Sequence, residues 1–456
     1  MFDPRDEARH NQQKVNPARD ESSYSEQHTD VARRDPLPET TALPCAEICL
    51  SASALAQQIR ERSFNESAHA LRLAHKHLTE SRAELNMQAK ATQRQDCVLL
   101  PSKGTAFFFS DLEGNIDDLT SALDEHRILE RMFTNDPDDQ VFVCILGDSI
   151  DRSRNSSVLM EFLLELKTNP TFSRNIAILA GNHELTLEMQ SRSDKPGGAQ
   201  QRLGLRDEIL TARESYTSPN LSHEDSKAMA ALCQEPRFSD CRPFIDSPNN
   251  PDDDAHEARA GMWLLFNDIF QVLPKMIMSE NGLCAFHAGF PARAQFADAL
   301  DTAHSKTAEE KSQILEAIAS ITDTSPERTE CHPLNLPLDD IVWSDIDPNL
   351  DDLADGPLTG YNRRGPNGSP GPGIAWGHRA FERFCEITRS TIAIRGHQHS
   401  PPDHSDVERL RTGAWRYKNC VTIDSSIKGG TFVSLELSIE NPTPRDLKYH
   451  TPLMEV

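Results

Sequence analysis

Seven residues in short polar clusters carry side chains that hold hard or borderline metal ions: Asp111, Glu113, Asp148, Asn182, His183, His287 and His397. None is a thiolate. Carboxylates, an amide oxygen and imidazoles in that mixture suit divalent Mn, Fe, Zn or Mg held for hydrolysis. When two such ions lie about 3.5 to 4 Å apart, one carboxylate can bridge them and a shared hydroxide becomes the nucleophile. Asp148 is the candidate bridge. Taken singly, each residue has an ordinary alternative, since an Asp can cap a helix and a His can fill a core. His399 and His404 match no such cluster and receive no functional reading.

The elements that must present these residues are legible as apolar runs ending in polar clusters. Thr105 to Phe109 runs into Ser110-Asp111, Val141 to Leu146 into Gly147-Asp148, and Ile176 to Ala180 into Gly181-Asn182-His183-Glu184. Helix-length amphipathic segments lie between them, around Ile116 to Phe133 and Val158 to Leu166. This alternation is the grammar of an α/β fold. In open α/β sheets ligands bind beyond the carboxyl ends of strands, which is where the polar residues fall. Further along, a strand pair around Met276 to Met278 and Leu283 to Phe286 ends in His287-Ala288-Gly289. Thr391 to Ile394 runs into Arg395-Gly396-His397. Ile341 to Trp343 reads as a short strand, and strands at Val421 to Ile423 and Phe432 to Leu437 complete a second sheet.

The chain of 456 residues divides by composition. Residues 1–44 are almost devoid of apolar side chains and are expected to form a disordered leader. Residues 45–96 hold no Gly or Pro between Ala46 and Gln95, and Leu55, Ile59, Leu71, Leu78 and Leu85 recur at helical spacing. They predict one or two helices docked as an appendage, with a coiled coil through the heptad Leu71, Leu78 and Leu85 as the alternative that Ala74 and Ser81 in the seam disfavour. Residues 97–456 form the main domain, with a polar surface insertion at about 188–260 that closes on Pro251-Asp252-Asp253-Asp254. Lys and Arg number 47 against 71 Asp and Glu, a net charge of −24 that repels phosphate backbones and anionic lipid. Nucleic acid and membranes are therefore not expected partners. Apolar stretches are too short to span a bilayer, and Met1-Phe2-Asp3-Pro4-Arg5 lacks a signal-peptide core. Ten cysteines with no C-x-x-C pair fit a reducing compartment and a cytoplasmic location.

The motifs Asp111-Leu112-Glu113-Gly114, Gly147-Asp148-Ser149-Ile150-Asp151-Arg152, Gly181-Asn182-His183-Glu184, His287-Ala288-Gly289 and Arg395-Gly396-His397 resemble, in order, those of PPP-type metallophosphoesterases, the phosphoprotein phosphatases. Val342-Trp343-Ser344-Asp345 and Asn362-Arg363-Arg364-Gly365 are similar to further family segments. The resemblance spans about Thr105 to Leu437. It implies a calcineurin-like metallophosphoesterase β-sandwich with flanking helices, to which the N-terminal helices are an appendage. It also implies two divalent metal ions, Mn first, with Mg, Fe or Zn as alternatives.

The same resemblance implies that Asp111, Glu113 and Asp148 hold one metal and that Asp148, Asn182, His287 and His397 hold the other. Arg152 and Arg364 would grip phosphate oxygens bidentately, with Asn182 as a further donor to substrate. His183, oriented by Asp151, would protonate the leaving oxygen during in-line attack by metal hydroxide. Glu113 stands where the family has a histidine. It keeps an oxygen ligand but adds negative charge, which favours Mg or Mn over Zn. The implied substrate is a phosphorylated protein. A dinucleoside polyphosphate hydrolase and a pseudophosphatase binding module are the alternatives, and resemblance to decorated effector phosphatases adds delivery into a host cell as a second destination.

Overall fold

The computed structural model describes residues 51–88, 97–134, 136, 138–153, 155–185, 205, 209, 251–290, 341–351, 359–362, 373–410, 414–426, 434–444 and 447–450. The leader expected at 1–44, most of the insertion expected at 188–260, and Arg364 lie outside them.

Strands buried on both faces read as continuous apolar runs, and alternate residues then serve opposite layers. β2 (Thr105–Phe109) does this: Ala106 and Phe108 enter the core between the two large sheets, while Phe107 and Phe109 pack under helices. β3 (Val141–Ile145) follows the same rule, with Phe142 and Cys144 inward and Val143 and Ile145 toward the helices. β2, β3 and β4 (Ile176–Ile178) are parallel neighbours. β14 (Ser434–Ser438) and β15 (Lys448–His450) complete a five-stranded sheet in the order β15-β14-β2-β3-β4.

The facing sheet has seven strands in the order β1-β5-β6-β10-β13-β12-β11. These are β1 (Cys97–Leu100), β5 (Met276–Ser279), β6 (Leu283–Phe286), β10 (Ile392–Arg395), β13 (Cys420–Thr422), β12 (Trp415–Tyr417) and β11 (Val407–Arg409). β10 lies parallel to both β6 and β13, so the carboxyl ends of all three leave the sheet on one edge. Leu283, Ala285, Ile392, Ile394 and Val421 meet Ala106, Phe108 and Leu435 of the other sheet. The outer face carries Cys284, Phe286 and Ala393 against Phe381 and Phe384 of a helix spanning His378–Thr388. A small sheet, β7 (Asp345–Ile346), β9 (Ile374–Trp376) and β8 (Thr359–Tyr361), adds Trp376 to that layer.

On the opposite side lie α1 (Ala52–Arg60), α2 (Phe64–Gln88), α3 (Ile116–Glu125), α4 (Ile128–Thr134), α5 (Ser156–Thr168) and, beyond the site motif α6 (Asn182–Leu185), α7 (Pro251–Val272). α1 packs on α3 and α5, and α2 packs on α5 and α7. The buried stripe of α2 is Phe64, Ala68, Leu71, Ala74 and Leu78, at helical spacing. Its alanines let the helix lie close to its neighbours. Among the described residues no helix is long and apolar enough to cross a membrane.

Four local expectations change. Of the two late strands expected to complete the second sheet, only β13 lies in it; β14 pairs with β2 in the first, antiparallel, with Leu435 opposite Phe108. Residues 341–343 form a helical turn rather than a strand. The Ile341 carbonyl accepts from Ala288 N and Gly289 N at 2.9 and 3.0 Å, and Asn362 Nδ2 donates to Trp343 O, so these carbonyls serve loops instead of a ladder. Pro251-Asp252-Asp253-Asp254 opens α7 instead of closing an insertion, because proline at the first helical position followed by acids in the first turn is a helix-start pattern. The segment expected as one helix from Ile116 to Phe133 breaks into α3 and α4 at His126-Arg127, where Arg127 takes φ 51°.

Candidate active site

The loops after β2 and β3 are zipped together by main-chain hydrogen bonds. Asp111 N donates to Gly147 O at 3.0 Å, Glu113 N to Asp148 O at 2.9 Å and Gly114 N to Ser149 O at 2.8 Å. Glu184 ties in the loop after β4. Its Oε2 accepts from Asp148 N at 2.9 Å and Gly181 N at 2.8 Å, and its Oε1 from Ser149 N at 2.7 Å. Burial, and then the neighbouring Asp148, push this carboxyl up to about 7. Two glycines permit the close approach. A Cβ on Gly181 would fall 2.3 Å from Asp148 Oδ1, and one on Gly396 would fall 2.2 Å from Asp111 Oδ2. Nine non-glycine residues among those described have positive φ, and Asp111, Glu113, Asp148, Asp151, Arg152 and His397 are six of them. Backbone strain concentrated in this way marks functional loops.

Asp148, His287 and His397 present buried ligand atoms that all lie within 4.8 Å of one another. His287 Nδ1 lies 3.0 Å from Leu146 O, so Nδ1–H donates there and Nε2 faces the group. Asn182 Oδ1 is 2.9 Å from that Nε2. Turned over, the Asn182 amide nitrogen would instead donate to His287 Nε2 and His397 Nδ1 at 2.9 Å and to Asp148 Oδ2 at 3.2 Å. With the oxygen inward, electron-pair donors from four side chains confront one another, which a cation resolves. Asp111 adds a second sign: its fully buried Oδ1 accepts no hydrogen bond among the described residues. Burying a carboxylate oxygen that way is costly without a positive partner. The donor set therefore fits divalent metal.

Charge coupling follows the same geometry. Burial opposes ionisation of Asp148, yet His287 and then His183 hold its carboxyl well below the usual carboxylate range. Burial would lower the His287 imidazole, but Asp148 close by leaves it above the ordinary histidine value.

His183 Nδ1 lies 2.7 Å from Asp151 Oδ2, and its Nε2 is 3.8 Å from Asp148 Oδ2. Both residues of this pair are 2% exposed. Asp111 Oδ2 accepts from His397 N at 2.8 Å, joining the loops of the two sheets. Asp111, Asp148, Asp151, Asn182, His183, His287 and His397 are thus gathered at one edge of the sandwich. Glu113 is different: its Oε1 forms an ion pair with Arg152, and Arg152 NH1 also lies 3.1 Å from His399 Nε2. Both residues named for separate tasks are engaged with each other. Arg364 is outside the described residues.

His399, which carries no motif signal of its own, belongs to this edge. Its Nε2 is 3.9 Å from Asp111 Oδ1 and 3.6 Å from Glu113 Oε1, while its Nδ1 is 2.6 Å from Asp424 Oδ2. The available signal was alternation: His397 and His399 stand two apart in the loop after β10. Gln398 between them is held by Arg395 NH1 and by Ile346 N, both at 3.0 Å from its Oε1. Asp424 could not be found locally, since it follows β13. Its loop is fixed by Ser425 N donating to Ser110 O at 2.8 Å.

Residues 105–401 match the family model of calcineurin-like phosphoesterases. In fold the chain is similar to a protein serine/threonine phosphatase from Saccharomyces cerevisiae with similarity to human phosphatase PP5. The two are 13% identical, with 88% of this chain and 89% of that chain covered and a TM-score of 0.43. It is also similar to a cold-active protein-tyrosine phosphatase of a psychrophilic Shewanella species, at 13% identity, with 78% and 82% covered and a TM-score of 0.33. No curated protein matches the chain.

Proposed function

The chain belongs to the calcineurin-like phosphoesterase family, and from that premise we propose that it is a metal-dependent phosphoprotein phosphatase acting on phosphomonoesters. The observation that carries this reading is the buried Asp148, His287 and His397 group set beside the His183–Asp151 pair. Asp148, Asn182, His287 and His397 would hold one divalent cation, and Asp111, Asp148 and either Glu113 or His399 the other. Such cations, Mn first among them, supply Lewis acidity toward water and phosphoryl oxygens when bound. Arg152 would bind phosphate through its planar guanidinium, with Arg364 as a second cation. As the bond between phosphorus and the leaving oxygen breaks, that oxygen would take the proton of His183 Nε2. Asp151, engaged on Nδ1, leaves Nε2 as the nitrogen that faces substrate.

The pairing of Glu113 with Arg152 favours one second reading, a pseudophosphatase that binds phosphoprotein without turnover. One experiment separates the two. The purified chain should hydrolyse an aryl phosphate and a phosphoserine peptide with Mn, lose both activities on chelation, and regain them on adding Mn. Asp148→Asn should abolish turnover. Full activity in Asp148→Asn would sink the assignment, and phosphopeptide binding without turnover by the Mn-loaded wild type would establish the second reading.

A further inference from the structure

The Asp151 carboxylate is shared between two partners on its two oxygens. Oδ2 faces His183 Nδ1 at 2.7 Å, and Oδ1 accepts the main-chain N–H of Leu205 at 2.7 Å. Leu205 lies 54 residues downstream, past the site motif in α6. Leu205 and Ile209 are both fully buried and join the apolar core formed with α1 to α5 and α7. The amide therefore belongs to main chain anchored by buried side chains. Asp151 itself is set from the other direction, since its N–H donates to Ser156 Oγ at 2.9 Å at the start of α5.

A carboxylate held at one oxygen can turn about its terminal torsion, which is broad and nearly two-fold. A second hydrogen bond on the other oxygen removes that freedom. The Asp151 carboxylate that faces the His183 ring is then held from two fixed points, the α5 loop and the Leu205 amide. Proton transfer to a leaving oxygen is sensitive to such alignment.

We infer that Leu205 is a positioning residue for the proton donor: its amide fixes Asp151, and Asp151 fixes His183, so a main-chain N–H 54 residues downstream of Asp151 takes part in leaving-group chemistry. This rests on the phosphatase reading of the site. It separates substrates by class. An alkoxide leaving group, as from phosphoserine, needs the proton, whereas a nitrophenolate departs without it.

Leu205→Pro removes the amide hydrogen, and Leu205→Ala keeps it while removing most of the side chain. With Mn-loaded protein, Leu205→Pro should lose about 10-fold or more in kcat on a phosphoserine peptide at unchanged KM, and less than about threefold on p-nitrophenyl phosphate. Leu205→Ala should affect the two substrates equally. Equal losses on both in Leu205→Pro, or a loss confined to KM, would overturn the inference. A wild type inactive on both substrates would instead remove the phosphatase reading, and this inference with it. Should Leu205→Pro fail to fold, hydrogen exchange of the Leu205 amide decides: Asp151→Ala should accelerate it about 10-fold or more while His183→Ala leaves it unchanged. An unaltered rate in Asp151→Ala would overturn the coupling.

Discussion

His399 Nδ1 lies 2.6 Å from Asp424 Oδ2, and this contact turns the other ring nitrogen toward Asp111 and Glu113. A carboxylate that fixes a histidine tautomer in this way raises the ligand strength of the opposite nitrogen. Asp424→Asn should weaken one of two bound cations by about 10- to 100-fold and spare the other. Chelator competition followed by metal analysis should show stoichiometry falling from two to one at intermediate chelator. His399→Ala should do the same, and an unchanged affinity in both variants would mean that His399 holds no metal.

The Glu113–Arg152 pair neutralises the guanidinium that phosphate would meet. Glu113→Gln should therefore tighten competitive inhibition by inorganic phosphate about fivefold at saturating Mn, equivalent to roughly 1 kcal/mol. Unaltered inhibition would show that the pair opens once metal is bound. Glu113→His should move the metal preference toward Zn or Fe, because imidazole replaces a hard oxygen.

Lys167 tests the core far from the chemistry. Its Nζ donates to Ser173 O at 2.9 Å and Ile176 O at 2.8 Å, and burial pushes the ammonium down from 10.5 to about 8. Below about pH 8 both folded and unfolded chains carry this proton, and the burial penalty is fully present. Between about 8 and 10.5 the unfolded chain binds more protons, so stability rises with pH through that window. Urea unfolding at pH 8 and 10 should show a gain of roughly 2 kcal/mol relative to Lys167→Met. Parallel curves for the two proteins would contradict the buried-ammonium account.

Asp124 sits in the last turn of α3, where its charge opposes that helix's own dipole. It is placed there for α1: it accepts from Ala52 N at 2.6 Å, Ser53 N at 3.0 Å and Ser51 Oγ at 3.2 Å. Asp124→Ala should cost about 1 to 2 kcal/mol and speed amide exchange throughout α1. Unchanged exchange in α1 would mean that its apolar face alone holds it.

Where a strand ends in glycine and an acid or histidine, the signal is local, so the sequence alone determines the α/β grammar and the cluster of Asp111, Asp148, Asn182, His183, His287 and His397. An apolar run of five residues and a polar loop are adjacent in the chain, and hydrophobic period needs no distant partner. Residues 341–343 were illegible for the converse reason: three apolar residues specify no period, and the use of their carbonyls by Ala288, Gly289 and Asn362 decided their shape. Tertiary structure alone pairs Glu113 with Arg152, brings His399 to Asp424, and carries the Leu205 amide to Asp151. Those contacts join residues 25 to 54 positions apart; the first two link loops that follow parallel neighbours, β2 with β3 and β10 with β13, so strand order rather than local sequence brings the partners together. Side-chain type states what such a residue can bind; which partner it meets is set by the backbone that holds both.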